Sequence, residues 1–246
     1  MKLGFRGSRV LIAGGSCEIA LCLAELLIGE GLHPIATSRS EEGRRKISAR
    51  LGRFEGLFDT ARLDLSDRGS IGSLFDQIGE DLDYLVDFAQ GDFESLVGSA
   101  DPDFIHHYFS ENVSSRAELL RRAARTMLRK KHGRMVFISS AAAGRSNPGQ
   151  GFYAAAKLAS EALYRNVGIE LARRGITTVT VRPGYVDAGR GARYISAHVE
   201  AVAGTPLGRA ITPEEVAQAV VFFLSDSAAA FNAVEICMDG GVSAVK

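Results

Sequence analysis

The apolar positions of this chain fall into short unbroken runs, separated by longer stretches whose apolar residues recur at helical spacing. The runs are Arg9 to Ala13 (RVLIA), His33 to Thr37 (HPIAT), Tyr84 to Phe88, Arg134 to Ser139 (RMVFIS), Ile176 to Arg182 (ITTVTVR) and Val234 to Met238. Each is short and rich in branched residues, which predicts strands buried on both faces of a parallel sheet. Another strand is predicted to end at Arg62-Leu63-Asp64-Leu65-Ser66. Between them, Ile19, Leu23, Leu26 and Leu27 mark a helix that follows Gly14-Gly15-Ser16 and stops at Gly31. Ser66 or Asp67 caps a helix through Ile71, Leu74, Phe75 and Ile78. A long helix is predicted from about Pro102 to Arg129, and another is entered near Phe152. Thr212 caps a last helix, opened by Pro213 and continued through Val216, Val220, Phe223 and Leu224. Strands alternating with helices of this length predict an α/β fold, a doubly wound, mostly parallel seven-stranded sheet flanked by helices. No interdomain linker is visible, so one domain is expected over residues 1–246.

Ligands of such sheets sit beyond the carboxyl ends of the strands. Gly14, Arg39, Asp64, Ala89, Ser140 and Pro183 all fall at those ends and should line one crevice. The turn from the first strand into the first helix presents backbone N–H groups to a pyrophosphate. Its glycines are few, and a plain strand-to-helix turn is an equal alternative at this point. Ser38-Arg39 follows the second strand with a hydroxyl and a guanidinium and no carboxylate. That favours the 2′-phosphate of NADP(H) over the 2′-hydroxyl of NAD(H). Glu41 and Glu42 stand close enough in sequence to neutralise Arg39 in part.

Composition narrows the classes. Apolar residues are 46% and charged residues 24%, enough for a large core and unlike a disordered chain. Lys plus Arg and Asp plus Glu both number 29, which argues against nucleic acid as an obligatory partner. No apolar run has membrane-spanning length, and the first residues lack the pattern of a signal peptide. Cys17, Cys22 and Cys237 show no metal-ligand spacing, and an odd count suits a reducing cytoplasm. His106-His107 has no ligand partners at suitable spacing and is expected on a helix surface, so no metal is expected.

The densest chemistry lies between Ser139 and Lys157, SSAAAGRSNPGQGFYAAAK. Tyr153 and Lys157 are four residues apart and so share one helix face. Ser140 stands at the mouth of the preceding strand. A phenol beside an ammonium, with a hydroxyl near both, makes a proton donor for a carbonyl oxygen.

With these pieces in order, the chain resembles the short-chain dehydrogenase/reductase family over essentially its whole length. The matching segments are AGGSCEIA, Asp64-Leu65, LVDFAQ, Asn112, Ser140, Tyr153-x-x-x-Lys157, Arg182-Pro183-Gly184 and PLGRAITPEEVAQAVVFFLSD…MDGG. The resemblance implies a Rossmann fold and a catalytic tetrad of Asn112, Ser140, Tyr153 and Lys157. Tyr153 would protonate the substrate oxygen as hydride arrives from the nicotinamide. Lys157 would lower the phenol pKa, normally near ~10, and hold the nicotinamide ribose. Ser140 would polarise the carbonyl, and Asn112 would anchor a water leading from Lys157 to solvent. The cofactor would be held by Gly14, Ser16, Ile19, Ser38, Arg39, Asp64, Leu65, Ala89, Tyr153, Lys157, Pro183, Gly184 and Val186. Family members are usually tetramers or dimers, so a homotetramer or homodimer is implied.

The departures lie in the cofactor cradle. Glu18 and Ala20 replace glycines, and Glu18 either points away from the pyrophosphate or weakens its binding. Asp87-Phe88-Ala89-Gln90 keeps only the alanine of the family's Asn-Asn-Ala-Gly, and Ala188 replaces a threonine near the carboxamide. Within the family the chain is similar to bacterial 3-oxoacyl-[acyl-carrier-protein] reductases, which implies an acyl-thioester substrate and acyl carrier protein as a partner. Such reductases present basic residues near the active-site mouth, and Lys131 and Arg174 fall at corresponding helix ends, although cations at helix C-termini are favoured by the helix dipole alone. Val186 to Leu207, with Arg190, Arg193 and Tyr194, resembles a mobile substrate loop. Two other readings stay open: a dehydrogenase of small or cyclic alcohols and ketones, and a catalytically weak nucleotide-binding or interaction protein on the same fold.

Overall fold

The computed structural model describes residues 3–245; Met1, Lys2 and Lys246, part of the expected 1–246 domain, lie outside the described residues. Seven strands form one sheet: β1 (Arg9–Ala13), β2 (His33–Ser38), β3 (Asp59–Arg62), β4 (Tyr84–Asp87), β5 (Gly133–Ile138), β6 (Ile176–Pro183) and β7 (Val234–Met238). Their order is β3-β2-β1-β4-β5-β6-β7, and every pairing is parallel. The chain direction across the sheet reverses between β1 and β4, which is where doubly wound folds open a ligand crevice.

The continuous apolar runs are explained by burial on both faces. In β1, Val10 and Ile12 pack with α1 (Glu18–Gly29) and α9 (Pro213–Leu224) on one face. Leu11 and Ala13 pack on the other, with α3 (Arg68–Ile78), α5 (Arg116–Lys130) and α6 (Gly151–Leu171). Each fully buried Leu or Ile contributes roughly 1.5–3 kcal/mol, so a strand with apolar residues on both sides is held from both layers. At the start of α9, Thr212 and Glu215 form a reciprocal capping box. Asp67, rather than Ser66, caps α3 by accepting from Gly69 N–H.

Three elements differ from the sequence reading. Glu41–Leu51 forms α2, capped by Ser40, with Gly43, Ile47 and Leu51 buried. The long helix from Pro102 is not continuous: α4 (Pro102–Phe109) passes through a π turn at Ser110–Ser115 before α5 begins. The segment after β6 folds into α7 (Gly189–Ala197) and α8 (Val199–Ala203), and Val186 forms an isolated parallel bridge to Ile211. The expected mobile loop is thus largely helical.

Candidate active site

Tyr153 and Lys157 lie on the first turns of α6, after a loop turned by Pro148 and by Gly149 at φ 82°. Phe152 and Ala156, on the neighbouring face, are buried against Tyr108, Phe93 and Phe109, which fixes the rotation of the helix. Lys157 is buried, donates to the Ile138 carbonyl at 2.7 Å and stands 4.8 Å from the centre of the Phe137 ring. Burial, and then the charge of Arg116, lower its pKa well below the ordinary value. Its ammonium is 5.8 Å from the Tyr153 ring centre. Burial raises the Tyr153 phenol above its ordinary value, while the charge of Arg190 and contacts from Ser140 and Arg190 pull it down. Ser140 also caps the short turn Ala141–Ala143, accepting from Ala142 N–H at 3.2 Å. The three chemical residues are therefore brought together as the sequence predicts.

Asn112 reaches the same neighbourhood, in the π turn, but its groups are engaged by protein. Its Oδ1 accepts from Gly91 N–H at 2.7 Å and its Nδ2 donates to Tyr108 O at 2.9 Å. Its main-chain carbonyl accepts from Arg116 and from Ser160 Oγ. Arg116 itself is fully buried and pairs with the equally buried Asp87 at 2.9 Å. Tyr164 donates to the same carboxylate at 3.0 Å. This cluster was not among the sequence candidates. The signal for Arg116 was present, since it shares a helix face with Leu119, Leu120, Ala123 and Met127, all buried. Asp87 ends the wholly buried strand YLVD.

At the switch point, Gly14 takes φ 74°, and a Cβ there would meet Ala89 N at 2.8 Å. Only glycine lets the first turn pass this close to the end of β4. No side chain caps α1, whose first-turn N–H groups face the crevice, and Glu18 is exposed at that end. Ser16 Oγ lies beside Ser38 and Gly43, within 3.1 Å of where a Gly43 Cβ would stand. Ser38 Oγ donates to Ser40 O at 3.2 Å. Arg39 lines a cavity of about 280 Å³ with Gln90, Gly91, Asp92, Phe104, His107, Tyr108 and Glu111. Glu41 and Glu42 do not neutralise it; they pair with Arg44 and Lys46 on their own helix. His107 is exposed on the surface of α4, as expected, and also lines the Arg39 cavity, 4.0 Å from Glu111.

Asp64 accepts from Ser66 N–H and Oγ and pairs with Arg62, and Leu65 is buried beneath it. Ala89 donates to Asp87 at 3.0 Å and its carbonyl accepts from Arg116. Pro183 ends β6, and Gly184 donates to Met238 O at 3.0 Å. Ile19, Val186, Ala188, Ile211, Val216 and Met238 form a small apolar cluster against the same edge. Uncapped N–H donors, a cation with no ion pair among the described residues and an apolar wall are a donor set that fits a dinucleotide.

The remaining candidates divide. Arg190, on α7, lies 5.1 Å from the Tyr153 ring centre and pairs with Asp92. Tyr194 stacks on Tyr185 and His198 and anchors that helix. Lys131 and Arg174 precede β5 and β6, so they sit at the amino ends of these strands, opposite the carboxyl ends that open the crevice. Gly175, which follows Arg174, packs against the main chain of Lys131, so closely that a Cβ there would clash with its carbonyl. The expectation that they flank the site mouth is corrected for a single chain. Among the described residues, no group of three or more His, Cys, Asp or Glu is placed to hold a metal ion, and no helix is long and apolar enough to cross a membrane.

The chain is similar to known proteins over nearly its whole length. A family profile described as Enoyl-(Acyl carrier protein) reductase matches residues 15–243. The chain is 33% identical to 3-oxoacyl-[acyl-carrier-protein] reductase FabG of Escherichia coli (strain K12), covering 98% of this chain and 99% of that one. Among solved structures it is similar to a short chain dehydrogenase/reductase family protein, with TM-score 0.89, 30% identity and full coverage of both chains. It is also similar to a gluconate 5-dehydrogenase from Burkholderia cenocepacia J2315 in complex with NADP and tartrate, with TM-score 0.88, 25% identity, and 100% and 98% coverage.

Proposed function

The chain belongs to the short-chain dehydrogenase/reductase family of NAD(P)-dependent oxidoreductases, and from that premise we propose that it is an NADPH-dependent reductase of 3-oxoacyl thioesters. The observation that carries this reading is the convergence of Ser140, Tyr153 and Lys157 after the carboxyl end of β5, on the same side of the parallel sheet as the uncapped start of α1 after β1. The thioester, carried on acyl carrier protein in fatty acid or polyketide-type synthesis, is supported by the likeness to the curated 3-oxoacyl-[acyl-carrier-protein] reductase. We read the whole chain as one cytoplasmic Rossmann domain that assembles as a homotetramer or homodimer.

When bound, the reduced nicotinamide supplies hydride to the carbonyl carbon. The first-turn N–H groups of α1 and Ser16 hold the pyrophosphate, and Arg39 holds the 2′-phosphate. Ile19, Val186 and the Pro183-Gly184 turn form the wall at the nicotinamide end, while Asp64, Leu65 and Ala89 line the adenosine end. Ser140 Oγ orients the substrate oxygen. The Tyr153 O–H bond breaks as its proton moves to that oxygen, leaving a phenolate that regains a proton from solvent. Lys157, which donates to the Ile138 carbonyl, would bond the nicotinamide ribose.

Following NADPH oxidation with acetoacetyl thioesters and a panel of free ketones tests the reading. Preferential turnover of the thioester is expected; turnover of cyclic ketones alone would replace the substrate, and nucleotide binding without turnover of any would replace the enzyme. Arg39→Ala is expected to weaken NADPH binding about 10- to 100-fold, the loss of one charge-assisted contact, and leave NADH nearly unchanged. Equal effects in a fluorescence titration would remove Arg39 from the 2′-phosphate.

A further inference from the structure

Of the two cations that stand over the Tyr153 ring, the nearer to its centre is not the one its motif supplies. Lys157 is buried and donates to the Ile138 carbonyl at 2.7 Å, with its ammonium 5.8 Å from the ring centre. The guanidinium of Arg190 is closer, at 5.1 Å, and approaches from the opposite element, α7. We propose that Arg190 is a catalytic residue of this chain: its guanidinium, held against the Tyr153 ring by Asp92, stabilises the phenolate that forms when the proton leaves.

The backbone is built to deliver it. Gly189 takes φ 51°, and a Cβ at Gly191 would meet Val186 O at 2.1 Å, so the turn flanking Arg190 on both sides requires glycine. The far end of the helix is pinned by the parallel stack of Tyr194 on Tyr185, with centroids 5.7 Å apart, and by His198 on Tyr194 at 4.3 Å. Asp92, on the segment after β4, closes the guanidinium from the other side at 2.5 Å. Arg190 therefore bridges two walls of the crevice across the reacting phenol.

The charged and titratable groups facing Tyr153 come from four elements. They are Lys157 on α6, Arg190 on α7, Asp92 after β4 and Tyr108 on α4, with the Ser140 hydroxyl after β5. Behind Lys157 stand Arg116, Asp87 and Glu161. Burial and Asp92 hold the phenol up; among the groups that bring it down, the charge of Arg190 is first. An opposite charge within about 4–6 Å favours the ionised form by roughly 1–3 pH units, so the arrangement has the reach to matter.

The proposal rests on Tyr153 as proton donor, and its test separates the two claims. Reduction needs the protonated phenol, so its rate falls as pH rises through the phenol pKa. Removing a nearby cation raises that pKa and moves the fall upward. Arg190→Met is expected to shift the alkaline break of kcat/KM for reduction by about 1 pH unit or more toward higher pH. Arg190→Lys, which keeps a cation, is expected to retain most of the original position. The chain has no Trp and six Tyr, so the tyrosinate absorbance lost in Tyr153→Phe isolates this phenol without substrate or cofactor. That titration should move upward in Arg190→Met as well. A raised KM with both titrations unmoved would return Arg190 to substrate binding and overturn the proposal, as would a shift seen only in Lys157→Met. Failure of the donor reading shows up elsewhere, as retained turnover in Tyr153→Phe.

Discussion

Replacing Tyr153 by phenylalanine is expected to lower carbonyl reduction about 100- to 10,000-fold, the range that a positioned general acid contributes. The substitution removes one oxygen and keeps the ring between Lys157 and Arg190, so nucleotide binding should stay within a factor of a few. No neighbour can take over the proton. The Ser140 hydroxyl is an acid far too weak, and it already accepts from Ala142 N–H. Lys157 is directed at the Ile138 carbonyl. Tyr108 is engaged by Gln90 at 2.7 Å, and burial pushes its phenol up to about 12. Loss of a group that acts only as the proton moves lowers kcat and kcat/KM together. Steady-state rates with an acetoacetyl thioester, set beside NADPH binding by fluorescence, check both halves. Turnover near the wild-type rate would remove Tyr153 from the chemistry and with it the proposed mechanism.

The residues of this reaction were readable because their chemistry is local. Tyr153 and Lys157 share a helix face by spacing alone, and Ser140 sits where a buried run ends. The sheet was readable for a similar reason, since strands buried on both faces carry no polar alternation. What the sequence left hidden depends on partners far along the chain. Helix α2 has a thin apolar face, only Gly43, Ile47 and Leu51, among charged residues that pair within the helix. The π turn at Ser110–Ser115 inserts one residue into a helical period, a shift too small to register in the spacing of apolar positions. Lys131 and Arg174 read as neighbours of the site by motif position, while the strand direction puts them at the other end of the strands. Arg190 was legible as a residue of the substrate segment; that it meets the phenol depends on where Gly189 and Gly191 turn the chain.

The largest effect on stability is expected from Arg116, whose five N–H donors all find acceptors. Its Nε donates to Asp87 at 2.9 Å, one amino group to Ser160 at 3.0 Å and the Asn112 carbonyl, the other to the Ala89 carbonyl and, at 3.4 Å, to Gln90. Asp87 is satisfied in turn by Tyr164 at 3.0 Å and Ala89 N–H at 3.0 Å. Arg116→Met fills similar space but strands a fully buried carboxylate, takes the Arg116 donor from the Ala89 carbonyl and leaves the Asn112 carbonyl with only the longer bond from Ser160. Breaking one side of such a pair costs about 3–5 kcal/mol, because the surviving charge keeps its desolvation penalty and loses its compensation. For a chain of this size the midpoint of thermal unfolding should fall on the order of 10 °C. Adding Asp87→Asn removes the stranded charge while an amide still faces Tyr164, so the double variant is expected to be more stable than Arg116→Met alone. That recovery separates charge burial from lost packing, which the second substitution would not restore. Urea unfolding of the three variants measures it. A single variant within about 1 kcal/mol of wild type, or a double variant that only adds further loss, would show that this buried pair does not hold the π turn and Asn112 in place.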